Sequence, residues 1–133
     1  MGYSSSVEFI NCYNLGDIKG KCDYSYSYPS RSYIYIGGIS GSMSDTMNGC
    51  GNLGEIDYHK FSGAKTNITC YIGGLIGSYR FNSGTKNCFN RGNVIGSGDS
   101  NYVGGIVGIV AYTSSPDILD NCYVACDKIG DMY

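Results

Sequence analysis

Tyr35-Ile36-Gly37-Gly38-Ile39-Ser40-Gly41, Tyr71-Ile72-Gly73-Gly74-Leu75-Ile76-Gly77 and Tyr102-Val103-Gly104-Gly105-Ile106-Val107-Gly108 are one phrase written three times. Its pattern is tyrosine, β-branched residue, Gly-Gly, aliphatic, any residue, Gly. A second phrase alternates with it. Asn11-Cys12-Tyr13-Asn14-Leu15-Gly16-Asp17-Ile18 returns as Gly49-Cys50-Gly51-Asn52-Leu53-Gly54-Glu55-Ile56 and as Asn87-Cys88-Phe89-Asn90-Arg91-Gly92-Asn93-Val94. A shortened copy follows at Asn121-Cys122-Tyr123-Val124. The repeated cysteine at 12, 50, 88 and 122 sets intervals of 38, 38 and 34 residues. Self-similarity at such a period is the mark of a repeat architecture, in which each unit buries its apolar face only against its neighbours.

The phrases also say what each unit is made of. β-branched and aromatic residues in runs too short for a helix read as strands. The glycine pairs Gly37-Gly38, Gly73-Gly74 and Gly104-Gly105 mark corners where another backbone comes close. Asn and Gly around the cysteines supply turns. Short strands separated by corners at a constant period stack as coils about 4.8 Å apart. The expected fold is all-β, a right-handed β-solenoid-like stack of about three to four coils with Gly/Asn-rich corners. The chain forms a single repeat domain over 1–133, with repeats at about 7–45, 46–84 and 85–116 and a partial one at 117–133. Residues before 7 read as a polar lead-in. No charged or helical cap is visible at either end, so a fragment of a longer array is expected. From the cysteine to the first glycine of the pair the repeats span 25, 23 and 16 residues. That variable segment places insertions on one side of the stack, where binding surfaces are most easily built.

Bulk composition removes several function classes. Charged residues are 15% of the chain and the net charge is −2, so no basic field exists to hold nucleic acid or an anionic membrane. No run approaches the roughly 20 apolar residues of a membrane span, and the N-terminus lacks the basic and apolar regions of a signal peptide. Seven cysteines suggest a disulfide framework at first sight. Four of them, Cys12, Cys50, Cys88 and Cys122, hold one place in the period and are expected to stack as reduced, buried thiols. Cys22, Cys70 and Cys126 lie outside that place, leaving room for one bridge among them. Cys122 and Cys126 are spaced like half a zinc site with no second half, and Gly96-Ser97-Gly98-Asp99 is not repeated as a calcium turn is in calcium-binding solenoids. Neither a metal nor any other cofactor is expected.

The two phrases resemble the GLUG motif, whose pattern runs Gly-Gly-aliphatic-any-Gly, a spacer, then Asn-Cys-Tyr-Asn-any-Gly-any-Val. Gly37, Gly38, Gly41, Asn11, Cys12, Tyr13, Asn14 and Gly16 match it, as do their counterparts in later repeats. Gly49, Gly51 and the shortened fourth copy depart from it. The resemblance implies a β-rich module of a bacterial secreted or cell-surface protein. That family includes adhesin-like proteins and the non-catalytic part of peptidases that cleave immunoglobulin A. It brings no catalytic residue with it.

No catalytic constellation assembles in the sequence either. His59, with Asp57 two residues earlier, reads as a solvated loop histidine, because a triad also requires a nucleophile and an oxyanion hole. His-Glu-x-x-His and Gly-x-Ser-x-Gly are absent. Asn11, Asn14, Asn52, Asn87, Asn90 and Asn121 read as stacked corner amides. Tyr35, Tyr71 and Tyr102 belong to the repeated phrase and read as structural. Tyr24, Tyr26, Tyr28 and Tyr33 stand outside the repeat and crowd one stretch, with Tyr24, Tyr26 and Tyr28 alternating with serine and so sharing one strand face. Phenol rings with hydroxyl rims suit sugar rings or a partner protein, and these four are the candidate binding residues. The expected function is a non-catalytic adhesion platform or stalk with a host glycan or glycoprotein as partner. The alternatives are a substrate-positioning domain of a secreted peptidase and a filament subunit that associates end to end.

Overall fold

In a coiled chain, residue i lies above its counterpart one period earlier, and each strand donates and accepts along the stack rather than within its own coil. The computed structural model describes residues 3–4, 8–22, 31–60, 68–80, 84–97, 100–111 and 119–130, and follows this plan. After β1 (Tyr3–Ser4), the first coil holds β2 (Phe9–Ile10), β3 (Tyr13–Asn14), β4 (Ile18–Cys22), β5 (Ser32–Gly37) and β6 (Ser40–Met43). The second holds β7 (Met47–Asn48), β8 (Gly51–Asn52), β9 (Ile56–Lys60), β10 (Ile68–Gly73) and β11 (Ile76–Arg80). The third holds β12 (Thr85–Lys86), β13 (Phe89–Asn90), β14 (Val94–Gly96), β15 (Ser100–Gly104) and β16 (Val107–Ala111). A fourth begins with β17 (Leu119–Asp120), β18 (Tyr123–Val124) and β19 (Ile129–Gly130).

Every pairing is parallel, and the sheets run β2-β7-β12-β17, β3-β8-β13-β18, β4-β9-β14-β19, β5-β10-β15 and β1-β6-β11-β16. One sequence repeat therefore makes one coil. The register is the one the repeats imply: Tyr35, Tyr71 and Tyr102 lie in line, as do Asn14, Asn52 and Asn90. Tyr3–Ser4 is not a lead-in. It pairs in parallel with Ser42–Met43 and supplies the same sheet position one coil earlier. The variable segments at 23–30, 61–67 and 98–99 fall outside the described residues.

The interior is divided into two apolar clusters. Phe9, Met43, Met47, Cys50, Leu75, Ile76, Tyr79, Cys88 and Ile106 form one, built from the first and last sheets of the coil and the cysteine corner. Ile56, Tyr58, Ile68, Cys70, Ile72 and Val94 form the other, from the third and fourth sheets. Between them runs a polar seam. Asn14 Nδ2 donates to Asn52 Oδ1 at 2.7 Å, and Asn52 Nδ2 donates to Asn90 Oδ1 at 2.8 Å. Each Nδ2 also donates to the carbonyl two residues on, at Gly16, Gly54 and Gly92. Asn52 and Asn90 are fully buried, so these bonds meet a need that water cannot.

The seam explains the glycine pairs. A Cβ on Gly38 would stand 2.8 Å from the Asn52 amide carbon, and one on Gly74 would stand 2.5 Å from that of Asn90. The second glycine of each pair is thus the slot for an asparagine of the next coil. In the last repeat Val124 replaces asparagine and sits against Gly105 instead.

The two departures in the second cysteine phrase also have local reasons. Asn11, Asn87 and Asn121 all adopt positive φ at the corner before the cysteine, and Gly49 takes the same conformation, φ 67°, without a side-chain penalty. The displaced amide is recovered one residue earlier: Asn87 Nδ2 donates to Asn48 Oδ1 at 2.9 Å, and Asn121 Nδ2 donates to Asn87 Oδ1 at 2.7 Å. At Gly51 the Phe89 ring occupies the space a side chain would need, which brings it within 6.2 Å of Tyr13.

The glycines at the close of the cysteine phrase give a matched test. A Cβ on Gly92 would lie 1.8 Å from the Gly54 carbonyl oxygen, whereas one on Gly16 meets nothing within 4 Å. Gly92→Ala should lower stability by about 1–3 kcal/mol through overpacking against backbone. Gly16→Ala should be neutral or stabilising by up to about 1 kcal/mol, because it restricts only the unfolded chain. Urea unfolding of the two variants checks this, and equal effects would show that the Gly54–Gly92 approach is not tight.

Candidate functional site

Residues on alternate positions of a strand share a face. On β5 and β10 the even positions, among them Ile34, Ile36, Cys70 and Ile72, face or pack against the second cluster, so the odd positions carry tyrosine on the other side. The parallel register then places equivalent rings over one another. Tyr35 and Tyr71 stack at 5.3 Å between centroids with 12° between planes, and Tyr71 and Tyr102 stack at 5.0 Å and 23°. Tyr33 extends the stack, 6.4 Å from Tyr71. Tyr33 and Tyr102 at its ends are about half exposed, at 52% and 48%.

The stack forms one wall of a groove. At the glycine corner the sheets holding β5-β10 and β11-β16 come into backbone contact: a Cβ on Gly77 would be 2.6 Å from Ile36 N, and one on Gly108 would be 2.5 Å from Ile72 N. Further from the corner the two sheets bound a groove of about 480 Å³. Tyr33, Tyr35 and Tyr71 line one side of it, and Ser78, Arg80 and the Ile109–Ala111 stretch line the other. Burial among neighbouring rings, reinforced by the charges that Tyr102, Tyr35 and Tyr33 would carry, holds the Tyr71 hydroxyl above the ordinary phenol range, with Arg31 pulling the other way. The hydroxyl is therefore protonated at neutral pH and both donates and accepts hydrogen bonds.

Of the four candidate binding residues, Tyr33 lines this groove, while Tyr24, Tyr26 and Tyr28 lie outside the described residues. Tyr35 and Tyr71, read from sequence as structural, line it too. The signal was there in the conserved phase of the phrase: a tyrosine two residues before the Gly-Gly pair must share the face on which Gly37 meets the returning strand. A second aromatic row, Tyr13, Phe89 and Tyr123, runs along the outer face of the β3-β8-β13-β18 sheet.

The remaining polar groups are placed differently from expectation in one respect. His59 is not on a loop. It is in β9, half-buried, with Nε2 2.6 Å from Asp57 Oδ1 on the same strand face. Among the described residues no three of His, Cys, Asp and Glu converge as a metal site would require. Among them also, no helix is long and apolar enough to cross a membrane. Cys12, Cys50, Cys70, Cys88, Cys122 and Cys126 form no disulfide. The cysteine ladder is joined through backbone: Cys12 N–H donates to Cys50 Sγ at 3.4 Å and Cys50 N–H to Cys88 Sγ at 3.3 Å. No family model matches the chain, and no curated protein or solved structure matches it.

Burial pushes the Cys50 thiol above its ordinary value and drives that of Cys88 up to about 12. A folded-state pKa raised above the unfolded value gives stability that is complete below pH 9 and is lost between pH 9 and about 12, as thiolate forms only in the unfolded chain. Stability measured by denaturant unfolding should fall steeply over that range. Cys88→Ala should show a shallower fall, and an unchanged slope would mean that Cys88 ionises freely in the fold. At pH 8 the buried Cys50 and Cys88 should resist iodoacetamide in the native state, while Cys126 reacts.

Proposed function

We propose that the chain is a non-catalytic β-repeat module of a bacterial surface or secreted protein, and that it binds carbohydrate, free or on a host glycoprotein, along the tyrosine groove. The observation that carries this reading is the aromatic stack whose Tyr33, Tyr35 and Tyr71 line the groove and whose Tyr102 continues it into the third coil, with rings partly open to solvent. Phenols stacked on one another are held rigid at low conformational cost and offer ring edges and hydroxyl rims that contact and bond sugar hydroxyls. The ladder repeats the same ring from coil to coil, which matches a ligand that is itself a repeating chain. The resemblance of the two phrases to the GLUG motif gives the cellular setting. Screening the protein on a glycan array beside Tyr71→Ala should show binding that the variant weakens by about tenfold or more, the scale of a central aromatic contact. Binding retained in full by the variant would move the site elsewhere, and absence of any glycan binding by the native protein would contradict the reading.

A second reading, end-to-end self-association, is favoured by the apolar residues at the two ends of the stack. Ile10 and Leu15 are exposed on the first coil, and Leu119 and Ile129 on the fourth. Both ends also carry parallel strands without an outer neighbour among the described residues, which are templates for further pairing. Static light scattering should then report a mass that rises with concentration. A monomer across the range would exclude filament formation by this chain.

A further inference from the structure

The groove has a cationic side as well as an aromatic one. Arg80, the last residue of β11, lines it opposite the tyrosines. Its Nε is buried and has no hydrogen-bond partner, and among the described residues its guanidinium forms no ion pair. A buried donor left unsatisfied is costly and uncommon in native folds, most of all on a charged group. Arg31, exposed just before β5, is near enough to act on the Tyr71 hydroxyl. Among the described residues no carboxylate lines the groove. The chain as a whole carries net charge −2, so this positive lining is local.

We propose that the groove selects an anionic saccharide, one whose ring lies against Tyr35 and Tyr71 while its carboxylate or sulfate is received by the Arg80 guanidinium, with Arg31 at the mouth. The inference rests on the carbohydrate reading above and adds the charge of the ligand. Three features decide for it. The planar fork of arginine matches the paired oxygens of a carboxylate or sulfate. The aromatic wall runs without interruption through Tyr33, Tyr35 and Tyr71 and carries a row of hydroxyls, which suits a chain of sugar hydroxyls better than the alternating side chains of a peptide. The two arginines found there among the described residues are too few to hold a polyphosphate backbone, which needs a longer basic track.

Titration calorimetry on the full chain tests this with an oligogalacturonate, a heparin oligosaccharide, neutral cellohexaose and a polyglutamate peptide as probes. At least one anionic saccharide should bind about tenfold or more tightly than cellohexaose, with an affinity that falls as salt rises. Arg80→Gln should remove that preference, bringing the anionic saccharide down by about tenfold or more to the level of cellohexaose. Arg80→Lys, which keeps the charge and loses the fork, should fall between the two, and Tyr71→Ser should weaken every saccharide. The thermal midpoint of each variant confirms that it is folded. Equal binding of neutral and anionic saccharides, unaffected by Arg80→Gln, would overturn the charge inference and leave the carbohydrate reading standing. Binding of polyglutamate without any saccharide, or of no probe at all, would overturn both.

Discussion

One contact organises the molecule: an asparagine amide of each coil lying in the slot left by a glycine of the coil before it. The amide is polar and buried, so it must be fully bonded. It achieves this along the stack: Nδ2 of Asn14 and of Asn52 each serves both its own turn carbonyl and the asparagine of the next coil. The amide is also planar and needs room on one side, which only Gly38 and Gly74 provide. A methyl group there would displace the amide and break bonds in two coils at once. Chains of such bonds reinforce one another in a dry interior, so the seam specifies register as well as adding stability. A slip by one residue would misplace the asparagine, cysteine and tyrosine ladders together.

The seam also decides where function can sit. It divides the interior into two apolar clusters, so the coil is not a simple tube with one core. The chain leaves one lobe along β5, turns at the glycine pair, and returns along β6 into the other. At that turn the two sheets touch through Gly77 and Gly108, which have no side chains to hold them apart. Larger residues further out, tyrosine on one side and Arg80 with the Ile109–Ala111 stretch on the other, line the groove. The groove is therefore a consequence of the last glycine of the repeated phrase, three residues after the one that accepts the asparagine seam. Its wall is aromatic because the tyrosine belongs to the repeated phrase and recurs in register.

Much of this was readable before any coordinates. The two phrases and their period imply stacked parallel strands, one set of corners and in-line ladders, and the register of Tyr35, Tyr71 and Tyr102 follows directly. The link between the phrases was not readable. Nothing in the sequence states that Gly38 meets Asn52, fourteen positions on and in the next coil. For that reason the asparagines looked alike, although Asn14, Asn52 and Asn90 form the interior seam while Asn11, Asn87 and Asn121 hold an outer corner in positive φ. The candidate site was half legible. Crowding of tyrosine pointed to Tyr33, but the rings that share its groove came from within the repeat, where periodicity itself suggested a purely structural part. Arg80 carried no sequence signal, since its counterpart in the next coil is Ala111.

Hydrogen exchange of the asparagine side-chain amides, followed by nuclear magnetic resonance, is the most direct test of the seam. If the Asn–Gly contact holds the coils together, the Nδ2 protons of Asn52 should exchange only through global unfolding, with the free energy given by denaturant. Those of Asn121, on the exposed corner, should exchange far faster. Rapid exchange at Asn52, comparable to that of Asn121, would mean that the amides are open to water and that some other contact keeps the coils in register.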